Sequence, residues 1–167
     1  KNSCTAALLL DLNSVNLAKA HQRRVKGHVT LTHYVNDRPY VASSFLTTAI
    51  SKVYSSALNG ICRDRPELVN KELPLVAEIA VVPARGGEVM IRRFFEPLGY
   101  EISLENACLD EQFPDWGASP YFKITLSQTI TLQNLLTHLF VLIPVLDNSK
   151  HYYVDKAEIE KLLDKGG

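Results

Sequence analysis

HYVNDRPYVASSFLTTAISKVYSSALNG, residues 33–60, decides how the chain is read. It holds a strand end, a turn and the clearest helix in the sequence. Apolar residues fall at Phe45, Leu46, Ala49, Ile50, Val53, Tyr54, Ala57 and Leu58, and polar ones at Thr47, Thr48, Ser51, Lys52, Ser55, Ser56 and Asn59. Apolar and polar pairs alternating in this way follow the 3.6-residue period, so one stripe faces a core. Ser43 or Ser44 is placed to cap the N-terminus by accepting from a free backbone N–H. Gly60 suits the left-handed position that ends a helix. The polar stripe carries one charge, Lys52, among small hydroxyls. Ser and Thr are mediocre helix formers, and solvated faces usually carry Lys and Glu. This second face is therefore expected to be covered too, by the domain or by a partner; a solvated Ser/Thr face is the alternative.

Outward from this helix, TAALLLDL, residues 5–12, reads as a buried strand, being a short continuous apolar run. KAHQRRVKGH, 19–28, is the basic cluster, with Lys19, Arg23, Arg24 and Lys26. It is either a phosphate-contacting loop or a solvated hairpin loop, and charge runs are more often the latter. VTLTHYV, 29–35, alternates as a half-buried strand does. Asn36, Asp37, Arg38 and Pro39 then make a turn. After Gly60, residues 63–72 suggest a short helix with Asp64 near its cap and Pro66 in its first turn. LVAEIAVV, 75–82, is a strand, and PARGG leads into a helix from Glu88 to about Glu96, stopped by Pro97 and Gly99. YEISL, 100–104, and YFKITLSQTI, 121–130, are strands joined by an irregular loop, 109–120. Thr131 caps a helix running to about Asp147, apolar all round in its second half and so centrally buried, with Pro144 expected to bend or end it. Asp155 and Glu158 form a capping box for a last helix, 156–165. Strands and helices interleave without regular βαβ units. The expectation is one α+β domain over 1–167, with a mixed or antiparallel sheet and four or five helices.

Composition narrows the classes of function. Eighteen basic and 18 acidic residues give zero net charge, which argues against a dedicated nucleic-acid binder. Cys4, Cys62 and Cys108 lie far apart with no CxxC, as in a reduced, cytoplasmic protein lacking a disulfide framework or zinc site. The start at Lys1 suggests a fragment. The apolar run Leu139 to Leu146 is too short to span a membrane.

Signals for chemistry are weak. PARGGE could expose backbone N–H groups to a phosphate, with Arg85, Arg92 and Arg93 nearby. It matches neither GxGxxG nor GxxxxGK[ST], so a tight strand-to-helix turn is the better reading. The five histidines show no metal spacing, and there is no GxSxG elbow. Cys62, beside Arg63 and Arg65, could carry a lowered thiol pKa, but a bland cysteine after a helix cap is the better reading. Trp116 is either an interface anchor or a plug holding its loop to the core. Lys150, His151, Tyr152 and Tyr153 mix a cation with rings that could stack on bases or pack under the last helix.

Eight segments in order carry a resemblance: CTAALLLDL (4–12), YVNDRPYVASSFL (34–46), RPELV (65–69), PLVAEIAVVPARGGE (74–88), FEPLGYE (95–101), LDEQFPDWGASPYF (109–122), LLTHLFVLIPVLD (135–147) and KHYYV followed by EIEKLL (150–163). Together they resemble the N-terminal domain of the bacterial RNA 3′-terminal ribose 2′-O-methyltransferase of RNA repair. The resemblance implies a methyltransferase domain downstream of Gly167, and with it any S-adenosylmethionine or divalent metal; it implies no cofactor, catalytic residue or metal site in 1–167. It further implies a partner, the bacterial polynucleotide kinase–phosphatase–ligase, whose ligase module this domain binds and activates, with a role for the lysine–adenylate step. From the resemblance, and from the enrichment of Arg and aromatic residues at interfaces, partner contacts are expected at Tyr34, Asn36, Asp37, Arg38, Tyr40, Arg63, Arg65, Arg85, Trp116, Lys150, His151, Tyr152 and Tyr153. The alternative is an RNA-end-binding module using Arg23, Arg24 and Lys26 with the PARGG turn.

Overall fold

The computed structural model describes residues 3–11, 41–109 and 112–147. The strand expected at 29–35, the turn at 36–39, the basic cluster and the helix at 156–165 lie outside the described residues.

The helix of the opening stretch begins earlier than its serines suggested. A π-helical turn, Val41–Phe45, runs into α1, Leu46–Val53. After an interruption at Tyr54 (ψ 23°), α2 covers Ser55–Leu58. Neither Ser43 nor Ser44 caps it; Ser43 lies inside the π turn, fully buried. At the other end Gly60 takes φ 65°, donating to Ala57 C=O at 3.1 Å, while Ile61 N–H reaches Ser56 C=O at 2.8 Å. Those two bonds satisfy carbonyls that the helix end would otherwise leave open. The Ser/Thr stripe is covered at its start, where Ser43 and Thr47 are buried, and exposed further on at Thr48, Ser55, Ser56 and Asn59.

Three strands follow: β1, Leu73–Pro83; β2, Glu101–Cys108; and β3, Ala118–Ile130. They form an antiparallel sheet in the order β1-β3-β2, so the strand made last lies in the middle. Period-two alternation sends Ala77 and Ile79, Ile124 and Leu126, and Ile102 and Leu104 to one face, in register as Ala77↔Leu126↔Ile102 and Ile79↔Ile124↔Leu104. The opposite face carries Lys123 between Glu78 at 3.7 Å and Glu105 at 2.9 Å. Between β1 and β2 lies α3, Gly87–Phe95, extended by a 3₁₀ turn, Glu96–Leu98, and stopped at Gly99 with φ 89°. Last comes α4, Leu132–Asp147. As expected, Thr131 caps it: its Oγ1 accepts from Asn134 N–H at 3.2 Å.

The apolar side of the sheet, α3 and α4 enclose the core. Val82, Ile91, Phe95, Ile124, Leu126, Ile143 and Leu146 are each 1% exposed or less. α4 touches α1, α2 and the π turn as well as β1 and α3, which makes it the central helix. Pro144 does not end it; the helix runs three residues further.

Three expectations fail. Residues 3–11 carry no regular secondary structure; Leu9 is 89% exposed and Leu8 alone in that run packs on the core. An apolar run fixes neither strand nor burial when no described strand takes it as a neighbour. Residues 63–72 hold one 3₁₀ turn, Pro66–Leu68, in place of a helix. Arg65, preceding proline, is pushed to φ −140° and ψ 66°, and the segment has no apolar stripe to bury. The loop drawn at 109–120 is shorter, because β2 runs on to Cys108 and β3 starts at Ala118.

Ser43 Oγ donates to Asp147 Oδ2 at 2.8 Å, joining the π turn to the last described turn of α4; Asp147 is 1% exposed and its Oδ1 has no hydrogen-bond partner among the described residues. Ser43→Ala would strip the buried carboxylate of its hydroxyl donor. The expected cost is about 1–3 kcal/mol, read as a lower urea midpoint at unchanged m-value.

Candidate functional site

The described site residues lie at the two ends of α4. Arg85 follows β1, and its N–H donates to Leu146 C=O in the last turn of α4 at 3.2 Å. Beside it Ala84 N–H donates to Pro120 C=O at 3.1 Å, so the turn after β1 adjoins the start of β3 and the loop holding Trp116. Arg63 and Arg65 follow Gly60, which lies against Gln133 in the first turn of α4; Gln133 Nε2 donates to Leu58 C=O at 3.2 Å. From Gln133 to Leu146 the helix rises roughly 20 Å. Arg85 and Trp116 thus share one end, with Arg63 and Arg65 at the other. Tyr34, Asn36, Asp37, Arg38, Tyr40, Lys150, His151, Tyr152, Tyr153, Arg23, Arg24 and Lys26 lie outside the described residues.

Each end has its own character. Arg65 pairs with Glu67 two residues on; that hydrogen bond holds the Glu67 carboxyl below its usual range, with both groups in solvent. Arg85 is exposed and makes no ion pair among the described residues. The PARGG segment is a tight turn: Gly87 N–H donates to Ala84 C=O at 3.0 Å. A Cβ on Gly86 would stand 2.6 Å from Met90 Cβ, so close approach to α3 demands glycine there. Arg92 is engaged by Glu88 at 2.7 Å and Glu96 at 3.1 Å, and the carboxylates raise its pKa. With Glu88 in the first turn of α3, this helix start is occupied by negative charge of its own.

Trp116 is no plug. It is 63% exposed and stacks on Phe113, itself 50% exposed, with centroids 4.8 Å apart and planes at 15°. Composition singled out Trp116 but gave no signal for Phe113 as its stacking partner. Nearby, β1 and β2 both slip register, between Ile79 and Val82 and between Asn106 and Cys108. The slips leave an open depression lined by Val81, Asn106, Tyr121 and Lys123 among others. It is a shallow surface feature, unlike the enclosed apolar pockets that hold small ligands.

Among the described residues no group of three or more His, Cys, Asp or Glu is arranged to hold a metal ion. Cys4, Cys62 and Cys108 are exposed and unpaired with one another. No described helix is long and apolar enough to cross a membrane. Buried Tyr100 and half-buried His138 are 2.8 Å apart from hydroxyl to Nδ1, with rings at 82°. Tyr100 also meets Phe95 edge-on. It cements the chain between α3 and β2 to α4.

The geometry defines a class: an α+β domain presenting exposed aromatic and charged side chains on a rigid sheet and helix frame. The family profile described as the RNA repair, ligase-Pnkp-associating, region of Hen1 matches residues 1–167. The chain belongs to that family. Among curated proteins nothing matches it.

Burial pushes Tyr100 up to about 12 and lowers His138 below its ordinary value. A lowered histidine favours the neutral ring, so its contribution is whole above the unfolded value of about 6.5 and is lost as pH falls through the folded one. A raised tyrosine contributes fully below about 10 and loses that contribution as pH climbs toward 12. Urea midpoints are expected to drop on the acid side of neutrality, and His138→Gln to flatten that arm of the profile.

Proposed function

We propose that this domain is a non-catalytic docking region that binds the ligase module of a bacterial polynucleotide kinase–phosphatase–ligase and switches on its ligation activity. The match of the ligase-associating family over residues 1–167 carries this reading. The neutral net charge fits a protein interface better than a phosphate-binding surface. Exposed Trp116 and Phe113 supply the aromatic composition that such interfaces favour. In this reading the domain acts in the cytoplasm and uses no cofactor. The 2′-O-methylation chemistry, with its S-adenosylmethionine and divalent metal, belongs to a separate methyltransferase domain.

Activation by docking differs from a merely structural association in what it does to the partner's first step. An RNA ligase must place AMP on its lysine before it can seal, and a bound domain that stabilises the competent arrangement raises the population able to react. The test combines the purified chain with the kinase–phosphatase–ligase. The expected outcome is co-elution as one complex, and an increase in lysine–adenylate formation and in sealing of cleaved RNA over the partner alone. Co-elution without stimulation would leave a docking region that does not activate. A gel shift of cleaved RNA by the chain alone, steeply weakened by salt, would instead favour the RNA-end-binding module using Arg23, Arg24 and Lys26.

A further inference from the structure

The β2–β3 hairpin ends in an exposed aromatic knob. Leu109 N–H donates to Gly117 C=O at 3.0 Å and closes the loop, and Trp116 N–H donates to Phe113 C=O at 3.0 Å within it. Gly117, at φ 89°, turns the chain back into β3 through a conformation that side-chain-bearing residues rarely adopt. The stacked rings of Phe113 and Trp116 are therefore held by local backbone bonds. Neither belongs to the core cluster. Leu109, beside them, is 56% exposed. Large aromatic side chains left in solvent on a short, bonded loop lose little conformational freedom when they dock, which is why such residues anchor interfaces.

Charge selects what the knob can meet. Residues 109–120, which carry both rings, contain Asp110, Glu111 and Asp115, and no Lys or Arg. A phosphate backbone is repelled by such a segment. An enzyme that joins RNA ends must itself present basic surface to its polyanionic substrate. A loop of acidic sequence bearing exposed apolar rings complements that surface.

We propose that the Phe113–Trp116 knob is the anchor by which this domain docks on its ligase partner, seated in an apolar pocket rimmed by Lys or Arg. This rests on the association reading above and assigns it to one end of the domain. The opposite end, where Arg63 and Arg65 lie, carries no comparable exposed aromatic pair among the described residues.

Calorimetric titration of the kinase–phosphatase–ligase with the full chain tests the assignment. Trp116→Ala is expected to weaken binding about thirtyfold or more, as a central aromatic anchor does. Asp115→Arg is expected to weaken it at low salt and much less at high salt. The control Lys71→Ala, an exposed residue on the segment that leads into β1, should stay near wild type. All variants alter exposed residues, and circular dichroism checks that each folds. Trp116→Ala and Asp115→Arg both binding as wild type would overturn the anchor while leaving the association standing. No binding by the wild-type chain would overturn the association and the anchor together. Self-association of the chain that Trp116→Ala abolishes, with partner binding unchanged, would make a second copy the occupant and overturn the proposal.

Discussion

The apolar stripe of α4 must be covered along its whole length, and α4 imposes that demand on everything else in the domain. Leu135, Leu136, Leu139, Ile143 and Leu146 are each 7% exposed or less and share one face of the helix, while Val145 is 48% exposed. The sheet and α3 satisfy one flank; α1, α2 and the π turn satisfy the other. Each such side chain contributes about 1.5–3 kcal/mol on burial, against a net stability of only about 5–15 kcal/mol for a whole domain. Neither flank is dispensable at that ratio. The Ser43–Asp147 bond then fixes how the π turn meets the last described turn of the helix.

Elements with a period and a stop signal were legible from residues alone. α4 came through from its Thr131 cap to the last described residue, Asp147. β1, β3 and α3 were placed to within a few residues; Gly60 takes the positive φ anticipated for it, and Gly99 stands where the α3 segment was expected to stop. The misses share a physical cause. Residues 5–12 and 63–72 have composition suited to an element, yet whether an element forms depends on a neighbour, which local pattern does not encode. Ser43 looked like a cap because caps are commonly serine; its hydroxyl went to a carboxylate 104 residues away. That partner is invisible to any local window.

The candidate surface was legible in part, and unevenly. Trp116 drew notice as the single tryptophan of the chain. That Phe113 would stack on it depended on a 3₁₀ turn, Pro114–Trp116, which brings the two rings together. The arginines were chosen for composition, and composition cannot say that Arg85 and Arg65 lie beyond opposite ends of one helix. Membership in the ligase-associating family came from eight ordered segments, a signal that survives misplaced boundaries because it depends on identity and order.

The strand order has a consequence for how the chain acquires its shape. Among the described strands β1 pairs only with β3, with Leu73 opposite Ile130, whereas β2 and β3 meet across a single loop. During synthesis from the N-terminus, β1 leaves the ribosome before that partner strand and waits for almost fifty further residues. The local hairpin closes at small entropic cost, and the distant strand must then be recruited to it. The central position of the last-made strand therefore delays commitment of the sheet until the domain is almost complete.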